Sequence, residues 1–264
     1  MVKIVIDGKV CEAEEGESVL AVARREGIDI PALCYDDILE PYGACRMCLV
    51  EVVKGAKKGI TTSCTLRASE GLEVLTDTLR VVQHRKIILE LYLAQAPMAA
   101  PIKELAKRYG VKKTRFPMKV NPLDPLRNRC ILCGLCIRVC GEVMGASAIN
   151  YIGRGQYTEI NTPFLEKSDV CMGCGACAEV CPTDAIEIKD SDGVRLMSSW
   201  SNTEVELKRC SVCGRYFAPQ PVVRYVADGV DVEMDEKLMD MCPDCRRKYV
   251  SKRAILMVKG EVER

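Results

Sequence analysis

A cysteine motif that occurs twice restricts the fold of this chain more than any other feature of its sequence. The pattern C-x2-C-x2-C-x3-C runs from Cys130 to Cys140 and again from Cys171 to Cys181, with Pro182 after the second run. Eight thiols repeated in register indicate iron–sulfur clusters. Disulfides and zinc are the alternatives, and both are disfavoured because eight ligands do not recur in register by chance. We expect the metal to form part of the core of each small module.

Both runs resemble the cysteine pattern of bacterial ferredoxins that hold two [4Fe–4S] clusters. In that family the fourth cysteine of each run ligates the cluster of the other run. The resemblance implies a first [4Fe–4S] cluster, here called cluster A, on Cys130, Cys133, Cys136 and Cys181. It implies a second, cluster B, on Cys171, Cys174, Cys177 and Cys140.

Eight of the other nine cysteines form two groups of four, and only Cys11 is left over. One group, the N-terminal thiol group, consists of Cys34, Cys45, Cys48 and Cys64. Another, the tail thiol group, consists of Cys210, Cys213, Cys242 and Cys245. Cysteines used in fours indicate metal ligands. Disulfides would require an oxidising compartment, and the first residues, MVKIVIDGKV, carry no export signal, so we expect a cytoplasmic protein.

Composition excludes several classes of function. The 38 basic and 37 acidic residues nearly cancel, so nothing argues for nucleic-acid binding. No apolar stretch approaches the roughly 18 residues of a transmembrane segment. His84 is the only histidine, which excludes a Rieske centre because that centre needs two. We find no phosphate-binding glycine loop and no nucleophile–histidine pair, so the sequence predicts no catalytic site in this chain.

The first 78 residues have the pattern of a small mixed domain. Alternating apolar residues predict strands at 2–6 and 9–14 around the turn Asp7-Gly8, and further strands at 49–53 and 72–75. Between them, Ser18 can cap a helix that Gly27 ends. This ββαββ order favours a β-grasp domain. Its cysteine spacing, C-x10-C-x2-C-x15-C, has a longer first gap than plant-type [2Fe–2S] ferredoxins.

That spacing, with YGACRMCLVEV around the middle pair, resembles a known group of iron–sulfur subunits. The chain is similar to the large iron–sulfur subunit of complex I, to diaphorase iron–sulfur subunits of NAD-linked hydrogenases, and to iron-only hydrogenases. The resemblance covers residues 1–95 and 125–190. It implies that the N-terminal thiol group holds a [2Fe–2S] cluster. Cys11, in a predicted strand outside the cluster loop, is expected to be a buried packing residue.

Residues 79–125, here called the bridge, depart from the family pattern. The sequence predicts a helix over 78–96, with Val81, Ile88, Leu91 and Tyr92 on one face, and a second helix from Pro101 to Tyr109. In the resembling proteins this region holds another [4Fe–4S] cluster on one histidine and three cysteines. Here it contains AQAPMAAPIKELAKRYG, so we expect that cluster to be missing and His84 to be a helix-surface or packing residue. The [2Fe–2S] centre would then pass electrons to the ferredoxin module across a wider gap, or to another subunit.

The tail, residues 200–264, carries two C-x2-C pairs that can form one tetrahedral four-sulfur site. Structural zinc is favoured because Arg246-Arg247-Lys248 follows the second pair, where an apolar, glycine-bearing run would be typical of rubredoxin iron. Rubredoxin-type iron and a further iron–sulfur cluster stay open. Between the two ferredoxin runs, alternation predicts a hairpin of residues 148–152 and 157–160.

The predicted organisation is α+β. It consists of a β-grasp [2Fe–2S] domain at 1–78, the helical bridge and connector at 79–125, a bacterial-type 2[4Fe–4S] ferredoxin domain at 126–195, and a zinc-ribbon-like or rubredoxin-like module at 200–264. Since no catalytic domain is found, we expect the chemistry to lie in partner subunits.

The leading hypothesis is an electron-transfer subunit of a cytoplasmic, hetero-oligomeric, NAD(P)H-linked oxidoreductase, with electron bifurcation as a possibility that several relatives suggest. It would connect a flavin- and NAD(P)H-binding subunit with a hydrogenase, formate dehydrogenase or similar subunit, or with soluble ferredoxin. A free-standing polyferredoxin carrier is the alternative. A redox-sensing regulator that binds nucleic acid is a third hypothesis, and near-neutral charge argues against it.

Overall fold

A computed structural model describes residues 1–229 and 236–258, with side chains described for 1–229 and 237–252. The described part combines strands and helices in one chain of mixed α/β content. Among these residues, no helix has the length and apolar character needed to cross a membrane.

The first sheet has five strands in the order β2-β1-β5-β3-β4. They are β1 (Val2–Ile6), β2 (Lys9–Ala13), β3 (Leu49–Lys54), β4 (Gly59–Thr62) and β5 (Glu73–Leu75). β1 pairs antiparallel with β2 and parallel with β5. Helix α1 (Val19–Arg25) begins at Ser18, whose hydroxyl accepts a hydrogen bond from the Ala21 N–H at 3.1 Å.

The expected strands and helix of this module are confirmed, but the expected ββαββ order misses a strand. β4 has only four residues and begins at Gly59, whose φ of 127° is unusual for a strand. It pairs only with β3, at one edge of the sheet. A short edge strand with a glycine carries too little alternation to be recognised in the sequence. Cys11 is 1% exposed within the core of this sheet, as expected.

Two helices form the bridge: α2 (Leu79–Gln95) and α3 (Ala100–Arg108). Both were expected, and α2 begins at Thr78, whose hydroxyl accepts from the Val81 N–H at 3.2 Å. The face of α2 that is buried differs from the expected one. Arg85 and Leu89 join Val81 inside, whereas Leu91 is 46% exposed. This face can be buried because the Arg85 guanidinium donates hydrogen bonds to backbone carbonyls in the interior.

Short elements surround the repeated cysteine motif. They are α4 (Leu135–Arg138), a π-helical turn (Val139–Val143), β6 (Asn150–Ile152), two 3-10 turns (Gly155–Tyr157 and Pro163–Leu165), β7 (Glu159–Asn161) and α5 (Ala176–Glu179). The expected hairpin is confirmed as β6 and β7, with Tyr151 opposite Ile160. Gly134 precedes α4 and Gly175 precedes α5, with φ of 79° and 84°. Equivalent left-handed glycines therefore start the helix of each repeat.

A second sheet joins the ferredoxin module to the tail. Its strands, in the order β11-β10-β9-β8, are β8 (Ile188–Ser191), β9 (Val194–Met197), β10 (Thr203–Arg209) and β11 (Tyr216–Pro219). Three helices follow: α6 (Gln220–Asp228), α7 (Glu236–Met239) and α8 (Pro243–Val258). β9 and β10 pair directly, with Met197 opposite Thr203. The sheet therefore crosses the division that the sequence predicts between residues 195 and 200.

Candidate metal centres

The N-terminal thiol group lies beside the first sheet, with each of its four cysteines at most 4% exposed. The backbone N–H of Cys45 donates to Cys34 Sγ at 3.2 Å, and that of Leu33 donates to Cys45 Sγ at 3.4 Å. The side chains of Cys48 and Cys64 also hydrogen-bond to each other. The structure thus brings together all four cysteines that the sequence groups, and four buried thiols with N–H donors fit an iron–sulfur cluster.

Hydrogen bonds within this group lower the pKa of two of its thiols and raise the pKa of the other two. The bond from Cys34 lowers the pKa of Cys45 to about 6, and the bond from Cys64 lowers that of Cys48 to about 7. The pKa of Cys34 and of Cys64 is raised correspondingly, first by the same bonds and then by burial. Because the thiolate is the form that binds metal, two of the four ligands are prepared for binding near neutral pH.

Helix α2 supports the loop that carries this thiol group, a role that sequence reasoning missed. Arg85, which is 2% exposed, donates from Nε to the Met47 carbonyl at 3.1 Å and from Nη2 to the Leu49 carbonyl at 2.6 Å. Tyr92 donates its hydroxyl to the Cys45 carbonyl at 2.9 Å. An arginine in a helix usually lies in solvent, so only its i±4 spacing from Val81 and Leu89 could have placed it inside.

The repeated motif encloses two cavities, each lined by four thiols. The first cavity contains Cys130, Cys133, Cys136 and Cys181. The second cavity contains Cys140, Cys171, Cys174 and Cys177. The remaining lining is largely apolar, with Ile131, Leu135 and Ile186 in the first cavity and Ile149 and Met197 in the second. Each cavity thus combines three thiols of one run with the last thiol of the other, and four thiols around an apolar space fit a [4Fe–4S] cluster.

Burial makes the cavity thiols weak acids. It raises the pKa of Cys130 to about 12, that of Cys133 to about 11 and that of Cys177 to about 12. Because metal ligands must be thiolates, filling these cavities must release protons. Backbone N–H groups already point at three of the sulfurs, each at 3.4 Å: Leu132 to Cys130, Ala185 to Cys181 and Ala148 to Cys140.

The first cavity adjoins the N-terminal thiol group. Cys133 packs against a hydrophobic cluster that includes Cys45 and Met47, and the charge of Cys45 acts on the Cys133 thiol. Four buried bridge residues fill the same cluster: Leu89, Ala96, Ala99 and Ile102. Aliphatic side chains therefore fill this part of the bridge. From the sequence we expected a wider gap between the two thiol sites here. His84 is exposed on α2 as expected, with Nδ1 2.7 Å from the Arg80 carbonyl oxygen.

The second cavity adjoins the second sheet instead. The indole Nε1 of Trp200 donates to Cys177 Sγ at 3.4 Å, and Trp200 is 1% exposed. Arg195 on β9 donates to the Gly173 carbonyl, in the cysteine loop, at 2.8 Å. Gly173 lies so close to Val205 on β10 that an added Cβ would meet it at 3.1 Å. Strands β9 and β10 therefore hold this cavity, which sequence reasoning missed because the tail was treated as a separate module.

The tail thiol group is the most compact of the sites. All four Sγ atoms lie within 4.8 Å of one another, and Cys213 Sγ is 3.8 Å from Cys242 Sγ. Four metal–sulfur bonds of about 2.3 Å in a tetrahedron separate the sulfurs by about 3.8 Å. This spacing fits one tetrahedral ion. Cys210 and Cys242 are buried, whereas Cys213 is exposed.

Hydrogen bonds stabilise thiolates in the tail thiol group. The backbone N–H of Cys242, 3.2 Å from Cys210 Sγ, is the main reason that the pKa of Cys210 falls to about 6. The guanidinium of Arg215 donates to Cys242 Sγ at 3.4 Å and lowers the pKa of that thiol. The hydrogen bond with Cys242 raises the pKa of Cys245 to about 12, so two of the four sulfurs are prepared as thiolates for a divalent cation.

Two known protein-family models match separate parts of the chain, and each part contains thiols described above. Residues 1–78 match the 2Fe-2S iron-sulfur cluster binding domain. Residues 126–188 match the 4Fe-4S dicluster domain. The matched domains therefore contain the N-terminal thiol group and the thiols of both cavities.

Among curated proteins, a subunit of the NADH-quinone oxidoreductase of Rhizobium meliloti (strain 1021) is 36% identical over 206 residues, which are 70% of this chain and 24% of the relative. The NADH-ubiquinone oxidoreductase 75 kDa subunit of Reclinomonas americana is 32% identical over 207 residues, which are 72% of this chain and 30% of the relative. The chain thus spans less than a third of the length of these relatives.

A solved structure is also similar. A chain in the crystal structure of an NAD+-reducing [NiFe]-hydrogenase in the H2-reduced state superposes with a TM-score of 0.54 at 28% sequence identity. The similarity covers 61% of this chain and 75% of that chain.

Proposed function

Because this chain is an iron–sulfur protein homologous to the 75 kDa subunit of NADH-ubiquinone oxidoreductase, we propose that it transfers electrons between subunits of an NAD(P)H-linked oxidoreductase. One partner would be a flavin- and NAD(P)H-binding subunit. The other would be a hydrogenase, formate dehydrogenase or similar catalytic subunit, or soluble ferredoxin. The complex would be cytoplasmic and hetero-oligomeric, and it could bifurcate electrons.

The observation that carries this proposal is the contiguity of three thiol sites. Cys45 and Cys133 belong to one hydrophobic cluster, which connects the N-terminal thiol group with the first cavity. Trp200 lines both the first and the second cavity. A chain that only stored metal would not need its sites in an unbroken series, whereas electron transfer does.

The ligand assignment follows the grouping of the thiols. The N-terminal thiol group would hold a [2Fe–2S] cluster, the first cavity cluster A and the second cavity cluster B. Iron–sulfur clusters, when bound, accept and release single electrons at potentials that their hydrogen bonds and exposure adjust. The buried backbone N–H donors around Cys34, Cys130 and Cys140 support this assignment, because they would stabilise ligand sulfurs.

The tail thiol group would hold one Zn²⁺. Sulfurs within 4.8 Å of one another favour a single ion over a further cluster. The alternative of rubredoxin-type iron shares that geometry. With zinc the tail would lie off the electron path, because Zn²⁺ has no accessible redox change. Its role would then be to fold a docking module, since structural zinc contributes folding free energy directly.

The domain organisation that we propose keeps the predicted ranges 1–78, 79–125, 126–195 and 200–264, with the second sheet continuous across the last division. It combines a β-grasp domain, a helical bridge, a bacterial-type 2[4Fe–4S] ferredoxin domain and a zinc-ribbon-like module. The sheet order β2-β1-β5-β3-β4 with α1 supports the first assignment. The equivalent glycines Gly134 and Gly175 support the third.

Anaerobic purification of the tagged chain from its own host tests the proposal. We expect a stable complex that contains a flavoprotein and in which NADH or NADPH reduces the iron–sulfur centres. A matched preparation of the Cys48→Ser variant should retain the complex and lose the [2Fe–2S] EPR signal together with the reduction by nicotinamide. A monodisperse, fully loaded monomer without flavin would contradict the subunit role and favour the polyferredoxin carrier.

A further inference from the structure

Trp200 has an unusual position for the only tryptophan of the chain. It is 1% exposed, it lies in the turn between β9 and β10, and it lines both thiol cavities. The turn also lies outside residues 126–188, the segment that matches the 4Fe-4S dicluster domain. The ferredoxin motif itself therefore does not account for this residue.

The turn fixes the indole in one orientation. The Trp200 N–H donates to the Met197 carbonyl at 3.0 Å. The Trp200 carbonyl accepts from the Thr203 N–H at 2.9 Å and from the Thr203 hydroxyl at 2.7 Å. With both backbone groups bonded and the side chain buried, the indole has little freedom to turn away from the cavities.

The indole lines both cavities but donates its N–H to a sulfur of the second. Its Nε1 donates to Cys177 Sγ at 3.4 Å, in the second cavity. Cys136 is the equivalent cysteine of the first run, and no side-chain N–H within residues 1–229 donates to its sulfur or to another sulfur of the first cavity. A hydroxyl group takes part there instead: Thr183 Oγ1 lies 3.7 Å from Cys181 Sγ, and either atom can be the donor.

We propose that Trp200 tunes reduction potential: its indole N–H, donated to the Cys177 ligand, raises the potential of cluster B relative to cluster A. This inference rests on the proposed ligand assignment. A hydrogen bond to a ligand sulfur favours the more negative, reduced form of a cluster. The indole N–H therefore shifts the sharing of one electron toward cluster B.

Replacing the N–H without changing the shape tests this proposal. Because Trp200 is the only tryptophan, a tryptophan-auxotrophic host can introduce β-(3-benzothienyl)alanine, in which sulfur replaces the indole N–H, at this position alone. EPR redox titration should show the potential of cluster B falling while that of cluster A stays. We expect the electron-sharing equilibrium to shift at least threefold, which is about 28 mV at 59 mV per tenfold for one electron.

A second readout and a packing control complete the experiment. ENDOR should detect an exchangeable proton coupled to cluster B in the native chain, and the analogue should lack it. Leu207→Ile, a change at a buried residue of β10 that lines neither cavity, should keep both the equilibrium and the proton signal. Trp200→Phe should shift cluster B in the same direction as the analogue.

The outcomes separate the inference from the function on which it rests. If the native chain lacks two [4Fe–4S] EPR signals, the ligand assignment fails and the inference with it. The inference is overturned, while the proposed function stands, if both signals are present and the analogue moves both potentials alike. The same holds if the analogue shifts the electron-sharing equilibrium by less than threefold.

Discussion

The two thiol cavities arise from one repeated motif, yet they have different neighbours. The first cavity shares a hydrophobic cluster with the N-terminal thiol group, through Cys133 and Cys45. The second cavity is enclosed by the second sheet, through Trp200, Arg195 and Val205. Identical ligand spacing therefore determines what each cavity can bind, whereas tertiary contacts determine which site each one is connected to. The predictions below test this difference.

Removing β10, β11 and the tail that follows them should have the largest effect. A chain that ends at Asn202 loses β10, and with it the contact of Val205 with Gly173 and the bonds that hold Trp200. We expect the loss of about four of about ten iron atoms, the capacity of one [4Fe–4S] cluster, together with the tail ion. Elemental analysis and EPR of the anaerobic protein measure this. Retention of both [4Fe–4S] signals would show that the second cavity does not need the sheet.

Exchanging the fourth cysteine of either run should affect the opposite cavity. Cys140→Ser should remove cluster B, because Cys140 lines the second cavity, and Cys181→Ser should remove cluster A. Each variant should lose about four iron atoms. Since Trp200 Nε1 donates to Cys177 Sγ in the second cavity, ENDOR of the exchangeable proton identifies the cluster that remains. If Cys140→Ser kept that proton signal, the crossed ligand sets would be wrong.

Sequence reasoning succeeded where chemistry is local. The spacing of the cysteines grouped them, the resemblance to two-cluster ferredoxins implied the crossed fourth ligands, and each set meets in the structure. Helix α2 could be predicted as well, because its apolar residues recur with helical spacing over 78–96 and Pro97 follows. What failed depends on contacts between distant segments. Neither the burial of Arg85 nor the approach of Trp200 to Cys177 has a signature within a few residues.

The predicted separation of the tail shows the same limit. In the sequence, residues 188–197 resemble the end of one module, and 203–219 the start of another. Their strands pair because β8 and β9 form a hairpin that leaves an edge free for β10. A sheet edge accepts any strand that geometry brings beside it, so the pairing could not be deduced from either segment alone.

Disrupting the tail thiol group alone should cost one ion and no cluster. Cys245→Ser removes one of the four sulfurs within 4.8 Å of one another, and β10 and Trp200 stay in place. We expect zinc to fall from about one to near zero per chain while iron stays near ten. Elemental analysis decides the result. A drop in iron from about 11 to about 10, with no zinc in the native chain, would identify rubredoxin-type iron instead.

Replacing Arg85 should weaken only the N-terminal site. In Arg85→Met, the carbonyls of Met47 and Leu49 lose their buried donor, and the free energy of unfolding should fall by about 3 kcal/mol. The denaturant midpoint for loss of the [2Fe–2S] visible circular dichroism measures it. Arg80→Met is the control on the same helix, since Arg80 makes an ion pair while 63% exposed and should cost less than about 1 kcal/mol. Equal losses in both variants would argue against the supporting role of Arg85.

The smallest effect is expected at the one cysteine outside every group. Cys11 lies opposite Ile4 on β1 and is 1% exposed, so its thiol fills space in the first sheet. Cys11→Ala should lower the free energy of unfolding by about 1 kcal/mol and leave all iron–sulfur EPR signals unchanged. Cys48→Ser, a change of similar size within the N-terminal thiol group, should abolish the [2Fe–2S] signal. Because the two residues differ in whether their sulfurs face other thiols or hydrocarbon, loss of that signal in Cys11→Ala would mean that the ligand set of this site includes a cysteine from the strand.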